Sequence, residues 1–197
     1  FTDYMEGGAG DTLAEMESLL ATGKLALPSS PTERLDLDLA AGFLETQLWE
    51  FRATHFHRGN PSLYTGEAVF GLMSLFLTDS TTAGERVEAA AARMAGIPAL
   101  LGQGRRAIRE APLGWTERAI RECHAGEAFL ARGLSHLPET AALETGARPA
   151  LLAFAEYRTY LEKQLLSRPR ESEAVSRDGT RPAHSVRGAS PFKARAT

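Results

Sequence analysis

Apolar residues recur along this chain at steps of three, four and seven, and no segment shows the strict alternation of a half-buried strand. That regularity reads as a succession of amphipathic helices. The expected fold class is all-α, an irregular bundle of about six to seven helices. The clearest case is SPTERLDLDLAAGFLETQLWEFRAT, where Ser30 is placed to cap a helix, Pro31 takes its first position and Glu33 falls where a capping box needs it. Beyond the cap, Leu37, Leu44, Leu48 and Phe51 form one stripe and Leu35, Leu39 and Phe43 a neighbouring one. Together they predict a long helix with a wide buried face.

The pattern repeats at Leu13, Met16, Leu19 and Leu20, with Gly23 as a stop signal. It returns at Val87, Ala90, Ala91 and Met94, and at Ile97, Leu100, Leu101 and Ile108. After the Pro112 to Gly114 break, Trp115, Ala119, Cys123, Gly126, Leu130, Leu134 and Leu137 trace another stripe. Leu151, Phe154, Leu161 and Leu165 mark the last helix. The run from Gly66 to Leu77 holds one charge, Glu67, and is too short for a bilayer, which needs roughly twenty apolar residues. It predicts a central helix with a seam at Glu67, Gly71, Ser74 and Thr78, along which a second helix can approach.

With 197 residues, 43% of them apolar, the chain can bury a real core. A formal charge of −3 gives no reason for nucleic acid or an anionic membrane as a general partner. The charge is unevenly spread: after Ser167 there are six Arg and one Lys against two Glu and one Asp, while the residues before carry the acidic excess. Residues 167–197 also lose all apolar periodicity, so a helical domain over 1–166 followed by a disordered or non-native basic tail is expected. Cys123 is the only cysteine, which excludes an internal disulfide and a thiolate zinc cluster. The opening FTDYMEGG has no initiating Met, basic n-region or apolar h-region; it reads as a start inside a larger gene product, which leaves a lost targeting signal open, and the expected setting is cytoplasmic.

The stretch HFHRGNPSLYTGEAVFGLMSLFLTDS is open to three readings: a metal site, a substrate-binding loop or a plain corner between helices. His55 and His57 are two apart, which on a helix points the imidazoles about 200° from each other and in an extended segment lets them share a metal. Nothing in the sequence nominates His124, His136 or a carboxylate as further ligands, and the plainer alternative is one packed histidine and one exposed. His57, Arg58, Asn60 and Tyr64 gather polar groups at a turn before a buried helix and are the candidate substrate-binding residues. Against that, Asn60-Pro61 alone can shape the turn while Arg58 pairs with a carboxylate.

No His-Glu-x-x-His, Gly-x-Ser-x-Gly, phosphate-loop or dinucleotide pattern is present in these residues. Cys123 and His124 diverge by about 100° on a helix, and Cys123 sits on the apolar stripe, so it reads as core rather than nucleophile. No catalytic residue is assigned.

The succession RLDLDLAAGFLETQLWEFR, HRGNPSLYTGEAVFGLMSLFL, ERVEAAAARMAGIPALL and APLGWTERAIRECHAGEAFL resembles the N-terminal half of the bacterial domain-of-unknown-function family 885. The resemblance covers residues 10–166 and rests on order and texture. It implies a long helical protein of zinc-peptidase type whose His-Glu-x-x-His motif lies in its C-terminal half, where this chain has no matching positions. On this view the chain holds no cofactor and zinc belongs to a complete family member. Its helices form one non-catalytic wall of a cleft, and the partners are a peptide substrate or the missing C-terminal half. An autonomous helical module that binds a ligand or protein is the alternative.

Overall fold

The computed structural model describes residues 1–53, 56–77, 82–134 and 141–170. Six helices account for the architecture: α1 (Glu6–Leu25), α2 (Pro31–Arg52), α3 (Pro61–Leu77), α4 (Ala83–Ala107), α5 (Leu113–Ala128) and α6 (Ala141–Tyr160). The all-α expectation holds. The last two run on through π-helical turns, Phe129–Gly133 and Leu161–Leu165, which carry Leu130, Leu161 and Leu165 into the core. A parallel bridge between β1 (Ala111–Pro112) and β2 (Pro169–Arg170) joins two segments remote in sequence. Residues 171–197 of the expected disordered tail lie outside the described residues, as do Leu137, Thr78 and His55.

Helix starts follow their local chemistry. Ser30 caps α2 by accepting from the Glu33 N–H at 3.2 Å, but the Glu33 carboxylate reaches back to the N–H and hydroxyl of Ser29, one residue earlier than a capping box requires. The full box forms instead at α4, where Thr82 and Glu85 satisfy each other's N–H groups. Gly23 does not end α1, which runs on to Leu25.

The core is the four-helix group α3 to α6. Helix α3 packs on α4 and α5, and α6 packs on both of these. Ala90, Met94, Ile97 and Leu100 of α4 and Ala119 and Cys123 of α5 are buried as their spacing predicts. Met94 meets Gly146 and Gly104 meets Tyr157, so α4 and α6 run in the same direction.

Two contacts set the spacing of this group. A Cβ at Gly104 would lie 2.7 Å from the Tyr64 ring and 2.8 Å from the Tyr157 hydroxyl, and one at Gly126 would lie 2.7 Å from the Phe154 ring. The absent side chains are the notches into which rings from neighbouring helices fit. The predicted seam on α3 plays a different part. Gly71 is covered by Arg93, which donates to its carbonyl at 3.4 Å, and by Phe1, while helix contact is made by the buried face of Ala68 and Leu72.

The hairpin of α1 and α2 departs most from expectation. Of the wide apolar face of α2 only Leu48 and Phe51 are buried; Leu35, Leu39 and Phe43 are 57%, 64% and 65% exposed. The proximal ends of the hairpin meet the core through Tyr4, Met16, Leu48 and Phe51. Its distal half has no helix to pack against among the described residues.

These notches yield a paired test. Gly104→Ala should lower stability by about 1–3 kcal/mol, because ring atoms must move, even though Ala is favoured in a helix by roughly 1 kcal/mol. Gly42→Ala in α2, with nothing within 4 Å of its Cβ position, should raise stability by about 1 kcal/mol, and chemical denaturation distinguishes the two. The buried tyrosines offer a second contrast. Tyr64 donates to the His57 carbonyl at 2.6 Å, whereas the Tyr157 hydroxyl has no partner among the described residues. Tyr64→Phe should cost about 1–2 kcal/mol, and Tyr157→Phe should be neutral or stabilising in the same assay.

Candidate functional site

The turn from Phe56 to Asn60 is built by its own backbone: the Gly59 and Asn60 N–H groups both donate to the Phe56 carbonyl. Asn60 Oδ1 then accepts from the Ser62 N–H at 3.1 Å, serving the first turn of α3. Arg58 folds back and donates from Nη2 to the Arg52 carbonyl at 3.2 Å, satisfying one open acceptor at the end of α2. Tyr64, one turn into α3, ties the turn to the core through the His57 carbonyl.

Around this turn five rings assemble from four segments: Tyr4 before α1, Phe51 of α2, Phe56 and His57 of the turn, and Tyr64 of α3. His57 stacks on Tyr4 at 6.1 Å between centroids and 16° between planes, and lies 5.7 Å from Phe51 and 6.0 Å from Phe56. Tyr4 meets Tyr64 edge-on at 5.5 Å. Tyr4 is held at both ends, its N–H donating to Gln103 at 3.0 Å and its hydroxyl to the Glu67 carboxylate. Burial, then that bond and the nearby Glu67 charge, raise its phenol well above the usual range. Burial also raises the Glu67 carboxyl, with the Tyr4 bond opposing it.

A cavity of about 490 Å³ opens beside these rings, between the start of α1 and the end of α2. Its wall includes Tyr4, Phe51, Arg52, His57 and Arg58. Of the four candidate residues the structure therefore brings His57 and Arg58 to the cavity, whereas Asn60 serves the helix start and Tyr64 stands behind the wall. Tyr4, Phe51 and Arg52 were not singled out from the sequence. Phe51 and Arg52 could have been found as the end of the helix that feeds the turn, but Tyr4 gives no signal, because its contacts span about sixty positions.

His57 Nδ1 is buried without a partner among the described residues, and burial, with the Arg58 charge in second place, lowers the imidazole below its ordinary value of 6.5. It is a neutral ring at pH 7. Two guanidinium groups edge the cavity, that of Arg52 paired with Glu17; the lining holds no carboxylate, thiol or aliphatic hydroxyl to act as nucleophile, and the neutral His57 ring is its candidate proton acceptor. No group of three His, Cys, Asp or Glu side chains among the described residues is placed to hold a metal, and His55 of the candidate pair lies outside them. Cys123 is buried, its thiol raised by desolvation, and His124 beside it is exposed.

Because His57 binds its proton less readily when folded, the unfolded chain takes up protons first as pH falls through 6.5. Stability should thus be flat above about pH 7 and fall from there toward pH 5, and His57→Gln should remove that part of the slope in denaturation curves.

Comparison with known proteins bears on the fold. No family profile matches the chain, and no curated protein does. Among solved structures it is similar to a "putative lipoprotein of unknown function" from Shewanella oneidensis, with a TM-score of 0.64 and 22% identity. The likeness covers 82% of this chain but 31% of that one, so the chain spans under a third of the similar protein's length. At this identity the likeness shows the fold. The cytoplasmic expectation is corrected by that protein's description: a lipoprotein points to a membrane-anchored or envelope location for the similar protein, and this chain is not assigned to the cytoplasm. No helix among the described residues is long and apolar enough to cross a membrane.

Proposed function

We propose that this chain is the non-catalytic, helical N-terminal portion of a larger zinc-peptidase-like protein, the type implied by its resemblance to the bacterial domain-of-unknown-function family 885. Its helices contribute one wall of a peptide cleft. The observation that carries this reading is the uncovered half of the α1 and α2 hairpin. Leu19, Leu25, Leu27, Leu35, Leu39 and Phe43 are between 54% and 93% exposed. Covering a Leu or Phe contributes roughly 1.5–3 kcal/mol, so six of them approach the net stability of a whole domain, about 5–15 kcal/mol. A face of that size is suited to burial against further helices. The similar solved structure has length to spare for them.

The cavity beside His57 favours the second reading, a helical module that binds a ligand by itself. Its aromatic floor suits an apolar side chain and its Arg58 edge suits a carboxylate, the two features of a peptide end, while Arg52 beside it already pairs with Glu17. Under the first reading the catalytic zinc belongs to the complete protein rather than to this chain, and the second reading involves none.

The purified chain is expected to bind a hydrophobic dye strongly and to self-associate. Replacing Leu35, Leu39 and Phe43 together by Ser should lower dye fluorescence several-fold and restore a monomer with unchanged helix content. A monomer that melts cooperatively and leaves the dye dark would move the reading to the autonomous module. Chelator-sensitive cleavage of a peptide panel would overturn the non-catalytic assignment.

A further inference from the structure

Helices α4 and α6 run in the same direction, so both present their C-terminal ends on one side of the core. Arg105 and Arg106 occupy the last turn of α4, Arg109 follows it, and Lys163 lies in the π-helical turn that extends α6. These four side chains surround a cleft of about 360 Å³ whose floor includes Tyr160 and whose one carboxylate is Glu156. The Tyr160 hydroxyl is occupied, donating to the Ile108 carbonyl, which fixes the floor. Among the described residues none of the four cations forms an ion pair within 4 Å, although other arginines do: Arg118 with Glu122, and Arg158 with Glu127 and Glu162.

Cations at helix C-termini have a structural explanation, because each helix end carries roughly half a negative charge. That explanation accounts for part of the cluster. Two helix ends and the Glu156 carboxylate offset about two of the four positive charges, which leaves an excess of roughly two. A single carboxylate is matched by one arginine fork, whereas three guanidinium groups and an ammonium converging on one cleft match an anion with two charges and several acceptor oxygens. A second, smaller cavity of about 240 Å³ shares Arg105, Arg106 and Glu156 and continues the cleft along the α4 and α6 seam toward Pro98. An apolar or ring-bearing remainder of the ligand has room there, against Leu101 and Tyr157.

We propose that this cleft is an anion site for a phosphate group, carried either by a soluble phosphate ester or by a phospholipid headgroup. It adjoins the C-terminal end of α4, which also lines the His57 cavity through Ala107, but shares no lining residue with that cavity and does not depend on the reading of the chain as part of a peptidase. The basic run RRAIR is visible in the sequence, but its meeting with Lys163 depends on the parallel packing of the two helices.

The test uses the full 197-residue chain at fixed ionic strength, with chloride as the reference anion. Inorganic phosphate and pyrophosphate should bind saturably, pyrophosphate more tightly, and the Arg105→Gln, Arg109→Gln, Lys163→Gln triple variant should weaken this at least tenfold. Arg118→Gln, which alters a paired arginine elsewhere, should leave it unchanged, and circular dichroism checks that both variants fold. Sedimentation with phosphatidylglycerol or phosphatidylcholine vesicles separates the sources. Loss of vesicle binding in the triple variant alone assigns a headgroup, and free phosphate binding without vesicle binding assigns a soluble ester. The proposal is overturned if neither phosphates nor vesicles bind saturably, or if the triple variant and Arg118→Gln bind equally.

Discussion

Everything described here depends on how closely α4 can be approached at Gly104. The Tyr64 ring from α3 and the Tyr157 hydroxyl from α6 both occupy the space that a side chain at that position would fill. One missing Cβ therefore sets the distance of two neighbouring helices from the central one, and close packing propagates that distance through the group. Gly126 and Phe154 repeat the device between α5 and α6. Because Tyr64 is seated there, its hydroxyl is in place to hold the His57 carbonyl, and the turn that walls the cavity is fixed by a contact made in the core.

The cavity and the exposed hairpin are two results of one geometry. The α1 and α2 hairpin meets the core only at its near end, where Tyr4 and Phe51 enter the ring cluster. The near end buries enough ring area to anchor it and encloses the cavity, while the far end projects with its leucines uncovered. The first 52 residues carry ten acidic and three basic side chains, whereas residues 53–167 carry twelve of each. The acidic excess of the body thus belongs to the hairpin. Such a surface offers apolar area to a partner whose basic groups match it.

At the opposite side of the balance stands the cleft formed by the ends of α4 and α6. A chain with a small net negative charge still gathers four cations there, because parallel helices bring two C-terminal ends together and cations are favoured at each. Net charge describes how the molecule as a whole meets a polyanion. It does not describe a local site.

By itself the sequence determined the helices, since three-and-four spacing is a local property: α2 begins at its Ser30 cap, Cys123 lies on a buried stripe, and the run before Leu77 forms a helix of the core. It also marked the turn at Arg58 to Tyr64, because Asn-Pro chemistry acts over a few residues. What periodicity could not say is which apolar face finds a partner. Leu35, Leu39 and Phe43 recur at helical steps just as Leu44, Leu48 and Phe51 do, yet only Leu48 and Phe51 near the core are buried, because burial depends on the path of the whole hairpin. The same limit hid Tyr4 beside His57 and Lys163 beside Arg105. Those meetings join residues about fifty to sixty positions apart, and only the packing of rings against Gly104 and Gly126 brings them together.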